Sequence, residues 1–144
     1  MSDTEKSVNS IGDRVKMLGL PLDQLIVIGS GILDVLGIRR ASDVDILVTR
    51  EVFKNLSSDA TWKSDKAESG SLRLSKNDYE VFYDWSDTGS EYPDFDDLVS
   101  YTTEIEGVRY VSLDYLRERK LSRGWEKDLG DVRLIDEYLE NAHE

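Results

Sequence analysis

Residues 25–48, LIVIGSGILDVLGIRRASDVDILV, restrict what this chain can become more than any other stretch. Leu25 to Ile28 is a short apolar run rich in β-branched residues and closed by Gly29, which predicts a buried strand. Gly29-Ser30-Gly31 predicts a tight turn into a short helix, Arg39 and Arg40 lie on the loop that follows, and a second strand opens on two aspartates. There Val44, Ile46 and Val48 alternate with Asp43, Asp45 and Leu47. Side chains leave a strand on alternate faces, so Asp43 and Asp45 project together, away from the apolar set. Two carboxylates on one face repel each other and cost stability unless a cation joins them. The pattern asks for a cation and for further groups to complete its site.

At 144 residues the chain is long enough to bury a core, and a single domain over residues 1–144 is expected. Apolar residues make up 39 % and charged residues 33 %, a globular rather than a disordered balance. No apolar run approaches the roughly 20 residues that a membrane helix needs. The polar, acidic opening MSDTEKSVNS does not read as a secretory signal. With no cysteine, disulfides and thiolate metal sites are excluded, and a cytoplasmic setting is the expectation. A formal net charge of −12 argues against broad, non-specific nucleic-acid binding while leaving room for a local basic surface. The charge is unevenly spread. From Asp78 to Glu106 every charged residue is acidic, whereas Arg109, Arg117, Arg119, Lys120, Arg123, Lys127 and Arg133 concentrate behind them.

Local signals divide the remainder. A helix is expected from Ser10, its cap, to Leu18, and another from Arg50 to about Leu56 behind Thr49. Thr61–Lys63 and Leu72–Leu74 read as edge strands, and Tyr79–Trp85 as a central strand. A loop over Ser86–Pro93 and a short helix over Asp94–Ser100 precede a hairpin, Thr103–Val111, turning at Glu106-Gly107. Ser112 caps a helix to about Leu121, broken by Gly124, and Asp128–Leu139 carries an apolar stripe of Leu129, Val132, Ile135 and Leu139. This order is a mixed α+β layer without regular βαβ alternation.

A glycine turn that opens a helix exposes backbone N–H groups suited to phosphate. A P-loop is excluded because no Lys-Ser or Lys-Thr follows the second glycine. A dinucleotide fingerprint would want a third glycine where Asp34 stands, though Glu51 occupies the place of a ribose-binding acid, so a Rossmann-like dinucleotide binder stays as an alternative. Taken together, Gly29-Ser30 and Asp43-Val44-Asp45 resemble the nucleotidyltransferase superfamily of the DNA polymerase β type. Tyr79-Glu80-Val81-Phe82 is similar to that family's next central strand, which bears the third carboxylate. The run GVRYVSLDYLRERKLSRGWEKDLGDVRLIDEYL is similar to the final helices of small bacterial nucleotidyltransferase-like proteins, matching at Lys120, Arg123, Lys127, Asp128 and Asp131.

The resemblance, which covers roughly residues 25–140, implies a minimal nucleotidyltransferase fold, a mixed β-sheet flanked by helices. It implies transfer of a nucleotidyl group from an NTP to an acceptor, with two Mg²⁺ ions on Asp43, Asp45 and Glu80. Gly29 and Ser30 would grip the β- and γ-phosphates, with Arg39, Arg40, Lys120 and Lys127 as further nucleotide contacts. Asp84, on the same strand face as Glu80, is the alternative third carboxylate, and Asp78 a weaker one. Trp85 or Tyr83 would stack on a base. The acceptor (an RNA end, a protein or a small molecule) is open, and a homodimer or partner chain is expected to finish the cleft of so small a protein. A catalytically silent binding module with the same fold is the other alternative.

Overall fold

The strand–turn–helix–strand expected over residues 25–48 forms the middle of the sheet in the computed structural model, which describes residues 10–85 and 92–142. The strands are β1 (Leu25–Ile28), β2 (Val44–Val48), β3 (Lys63–Lys66), β4 (Leu72–Lys76), β5 (Tyr79–Phe82), β6 (Thr102–Ile105) and β7 (Val108–Val111). They join in the order β3-β4-β5-β2-β1-β7-β6. β1 is buried along its whole length, which explains its unbroken apolar run. It runs antiparallel to β2 and parallel to β7, and β2 runs parallel to β5. The mixed sheet matches the α+β class expected. The outer strand β3, Lys-Ser-Asp-Lys, is exposed throughout, and its charges discourage pairing with another chain.

Among the described residues, six α-helices flank the sheet: α1 (Ile11–Met17), α2 (Gly31–Val35), α3 (Arg50–Ser57), α4 (Phe95–Leu98), α5 (Leu113–Arg123) and α6 (Glu126–Ala142). Their starts follow local chemistry. Ser10, Thr49 and Ser112 each accept a backbone N–H three residues on, and Asp94 and Asp97 form a reciprocal capping box. No described helix is long and apolar enough to cross a membrane.

Three expectations need correction. The edge strand expected over Thr61–Lys63 forms over Lys63–Lys66 instead. β5 stops at Phe82 rather than Trp85, because Asp84 leaves the ladder and forms an isolated bridge with Asp94. α6 starts at Glu126, and Leu129 of the expected stripe is largely exposed. Val132 and Ile135 are buried, but so are Asp128 and Asp131, because cations from α5 and the Arg39 loop meet them there. The expected loop over Ser86–Pro93 falls in part on residues 86–91, outside the described residues.

The turn after β1 is held by packing. A Cβ added to Gly31 would collide with Val27 Cγ1 and crowd Ile11 Cδ1 at 3.2 Å. Gly31→Ala should therefore lower stability by about 1–3 kcal/mol, the usual cost of overpacking. Urea unfolding reads this, and an unchanged midpoint would show that the turn has slack.

Candidate active site

Asp45 is the centre of the site. Its register partner on β1 is Ile28, and the chain then turns at Gly29 with φ +64°. A Cβ at Gly29 would lie 3.0 Å from Asp45 Oδ2, so the turn passes directly over the carboxylate. On the other side, Glu80 is the register partner of Asp45 across the β2–β5 pair. Asp43 is exposed just ahead of β2. Asp45 Oδ1 is buried and has no hydrogen-bond partner. Burial, followed by the negative charges of Glu80 and Asp43, pushes its pKa up to about 7, while Arg73 and Lys127 act in the opposite sense.

The oxygen donors of these carboxylates suit a hard divalent cation. The orphaned Asp45 Oδ1 is the observation that supports the fit. Among the described residues, however, no three acidic or histidine side chains are arranged to hold a metal. Glu80 is engaged elsewhere: Arg73 Nη1 donates to its Oε1 at 3.1 Å, while Arg73 Nε and Nη2 grip Asp65 at 2.9 and 2.8 Å.

A basic wall faces the carboxylates, built on a chain of ion pairs. Arg39 donates from Nε and Nη2 to the two oxygens of Asp131 at 2.7 and 2.8 Å, and from Nη2 to Ser30 Oγ at 2.8 Å. Lys120 Nζ lies 2.9 Å from Asp131 and 3.7 Å from Asp128, and Arg123 holds Asp128 through two bonds of 2.7 and 2.6 Å. Lys120 and Asp131 are only 6 % and 5 % exposed. Burial alone would raise the pKa of Asp131, but hydrogen bonds from Arg39 and Lys120 and their charges outweigh it and hold the value down at about 2. Arg119 lies 3.9 Å over the Trp85 ring and donates to the Trp85 carbonyl at 3.1 Å. Gly29, Ser30, Asp45, Trp85, Arg119, Lys120, Arg123 and Lys127 line one cavity of about 170 Å³.

No protein-family model and no curated protein matches this chain. Solved structures do. A crystal structure of ANT(2'')-Ia in complex with adenylyl-2''-tobramycin is 17 % identical, with a TM-score of 0.50, and the match covers 93 % of this chain and 88 % of that one. A solution structure of the antibiotic-resistance factor ANT(2'')-Ia is 18 % identical, with a TM-score of 0.52, over 96 % and 86 %. The fold is that of the nucleotidyltransferases of the DNA polymerase β type.

Within the nucleotidyltransferase fold, Gly29, Ser30, Asp45, Lys120 and Lys127 line one cavity. Glu80 stands beside Asp45, and Asp43 acts on it through charge. Arg39 reaches the turn, but its guanidinium is committed to Asp131 and Ser30. Arg40 is exposed and does not line the cavity. Asp78 is exposed and faces Arg14 at 3.5 Å. Tyr83 packs edge-on against Phe53 and under Arg50, away from Asp45, so of the two rings expected to stack on a base only Trp85 lies in the cavity. Glu51, in the first turn of α3, is exposed and absent from the cavity wall. With β1 and β2 antiparallel, the parallel βαβ unit of a dinucleotide-binding domain is missing at the glycine turn, and that alternative falls.

Two contributors were not singled out from the sequence. Leu116, Arg119, Lys120 and Arg123 all line the cavity, and their spacing of three, four and seven is one helical face, so Arg119 was findable on α5. Arg73 carries no such signal, since it meets Glu80 only through hairpin register.

Proposed function

We propose that this protein transfers a nucleotidyl group from an NTP to an acceptor in a Mg²⁺-dependent reaction. The observation that carries the reading is the orphaned Asp45 carboxylate, pressed between the Gly29 turn and Glu80 and facing a basic wall. Asp43, Asp45 and Glu80 would hold the metal, whose role is to offset charge on the attacking and leaving oxygens. Gly29 and Ser30 receive the terminal phosphates, with Lys127, Lys120 and Arg119 supplying positive charge beside them. An acceptor oxygen attacks the α-phosphorus and forms a new O–P bond. The bond from that phosphorus to the bridging oxygen breaks, and pyrophosphate departs with the electron pair. Glu80 orients the acceptor hydroxyl and takes its proton.

A second cavity of about 630 Å³ adjoins the first, sharing Asp45, Trp85 and Arg123 with it and bounded also by Phe82, Asp84 and Trp125. Ser71 Oγ and Asp84 Oδ1 are buried in its wall without partners. It supplies room for the acceptor, and a second copy or partner chain would complete it. The ANT(2'')-Ia crystal complex contains an adenylylated tobramycin, so an aminoglycoside hydroxyl is the first acceptor to assay, ahead of RNA ends and protein side chains. The cysteine-free composition supports a cytoplasmic setting.

Engagement of Glu80 by Arg73 favours a second reading, a silent module that binds nucleotide or a protein partner. Labelled NTPs offered with acceptor pools and read by mass shift separate the two. The expected result is a product mass gain of one NMP with Mg²⁺, lost with EDTA and in Asp45→Ala. Mg²⁺-dependent NTP binding without transfer to any pool would favour the module, and no NTP binding at all would remove the proposal.

A further inference from the structure

We propose that the Arg73 guanidinium is a resident second cation of this site, so that one bound divalent ion suffices where two were expected. The inference rests on the nucleotidyl-transfer reading and refines its metal requirement. The hairpin register places Asp65 opposite Arg73 and Ser75 opposite Glu80, which sets Arg73 on the strand next to Glu80. Asp65 takes Arg73 Nε and Nη2, leaving Nη1 directed at Glu80 Oε1, 3.1 Å away. The guanidinium is thus anchored from behind and presented forward. It borders the same cavity as Asp45, and its charge reaches the Asp45 carboxylate.

The geometry has two consequences. A metal ligated by either oxygen of Glu80 would sit within a few ångströms of the Arg73 guanidinium, whose Nη1 lies 3.1 Å from Oε1 and which keeps its positive charge at all working pH values. Like charges that close oppose each other strongly in a partly buried site. Conversely, Asp43 and the orphaned Asp45 Oδ1 remain available to a single ion together with the nucleotide phosphates. The absence of any three-carboxylate group among the described residues agrees with this division. Arg73 would then act on the acceptor side, where it fixes Glu80 and offsets negative charge as the acceptor oxygen approaches.

Manganese titration followed by electron paramagnetic resonance tests the idea, with one equivalent of a non-hydrolysable α,β-methylene ATP present. Wild type should saturate at one Mn²⁺ per chain, with no spin-coupled pair. Arg73→Gln should take up a second ion and show the coupled signal, and Arg73→Lys, which keeps a cation, should return to one. A spin-coupled pair in wild type overturns the inference while leaving nucleotidyl transfer standing. A single ion in a folded Arg73→Gln also overturns it. If Arg73→Gln does not fold, the wild-type count and the Arg73→Lys count decide. Wild type that binds neither Mn²⁺ nor nucleotide would remove the nucleotidyl-transfer reading, and this inference with it.

Discussion

Asp45→Asn should make the metal-free protein more stable at pH 8 while removing its chemistry. Asp45 ionises near pH 4 in an unfolded chain but near pH 7 in the fold, because burial and then Glu80 and Asp43 oppose its charge. Below pH 4 it is neutral in both states and costs nothing. As the pH rises from 4 to 7 the unfolded state gains an ionised carboxylate that the fold resists, so native stability falls. Above pH 7 the full penalty is present, about 2–4 kcal/mol for a shift of this size in a partly accessible site. Asparagine keeps the shape without the charge and escapes the penalty. The variant should therefore unfold at higher urea than wild type at pH 8, with the gap closing toward pH 4. On the proposed function, Mg²⁺ plus nucleotide should stabilise wild type, whose folded site would bind them, and leave Asp45→Asn unmoved. If Asp45 holds the metal as proposed, its loss should lower turnover about a thousandfold, several kcal/mol in the transition state. A variant no more stable than wild type at pH 8 would mean that Asp45 is not held against its charge.

Asp131→Ala should be among the most destabilising substitutions in the protein. Asp131 joins Arg39, which holds Ser30, to Lys120, which is buried beneath the cleft. Without it, Lys120 keeps only Asp128 at 3.7 Å, a carboxylate already gripped by Arg123. Leaving a buried charge without its partner typically costs about 3–5 kcal/mol. A Lys120→Met, Asp131→Leu double variant, which removes both buried charges, should recover much of that loss. The Asp131 pKa lies below the usual carboxylate value, at about 2, so its contribution is complete above about pH 4 and fades as the pH falls toward 2. Urea midpoints at pH 7 and pH 3 measure both effects. If Asp131→Ala unfolds like wild type at pH 7, the network adds no stability.

The same two residues show how far reading the chain could go. Asp45 was legible because its setting is local: an alternating strand, a glycine turn a few residues upstream, and an apolar set that can only face inward. The caps at Ser10, Thr49 and Ser112 were legible for the same reason, each acting within three residues of itself. Arg39 and Lys120 both read as nucleotide contacts, and nothing near Arg39 announces the aspartate that it meets. Arg39 and Asp131 are 92 positions apart.

What the amino-acid order decided by itself was the inventory: an α+β chain, a buried strand ending in Gly-Ser-Gly, two aspartates on one strand face, and basic residues along the α5 face. What only the folded chain decided was the assignment of charges, with Arg39 and Lys120 drawn into the wall by Asp131, and Arg73 set against Glu80. The physical reason is range. Backbone periodicity and capping act over a few residues, whereas an ion pair forms wherever the strand order and helix packing bring two side chains within about 3 Å.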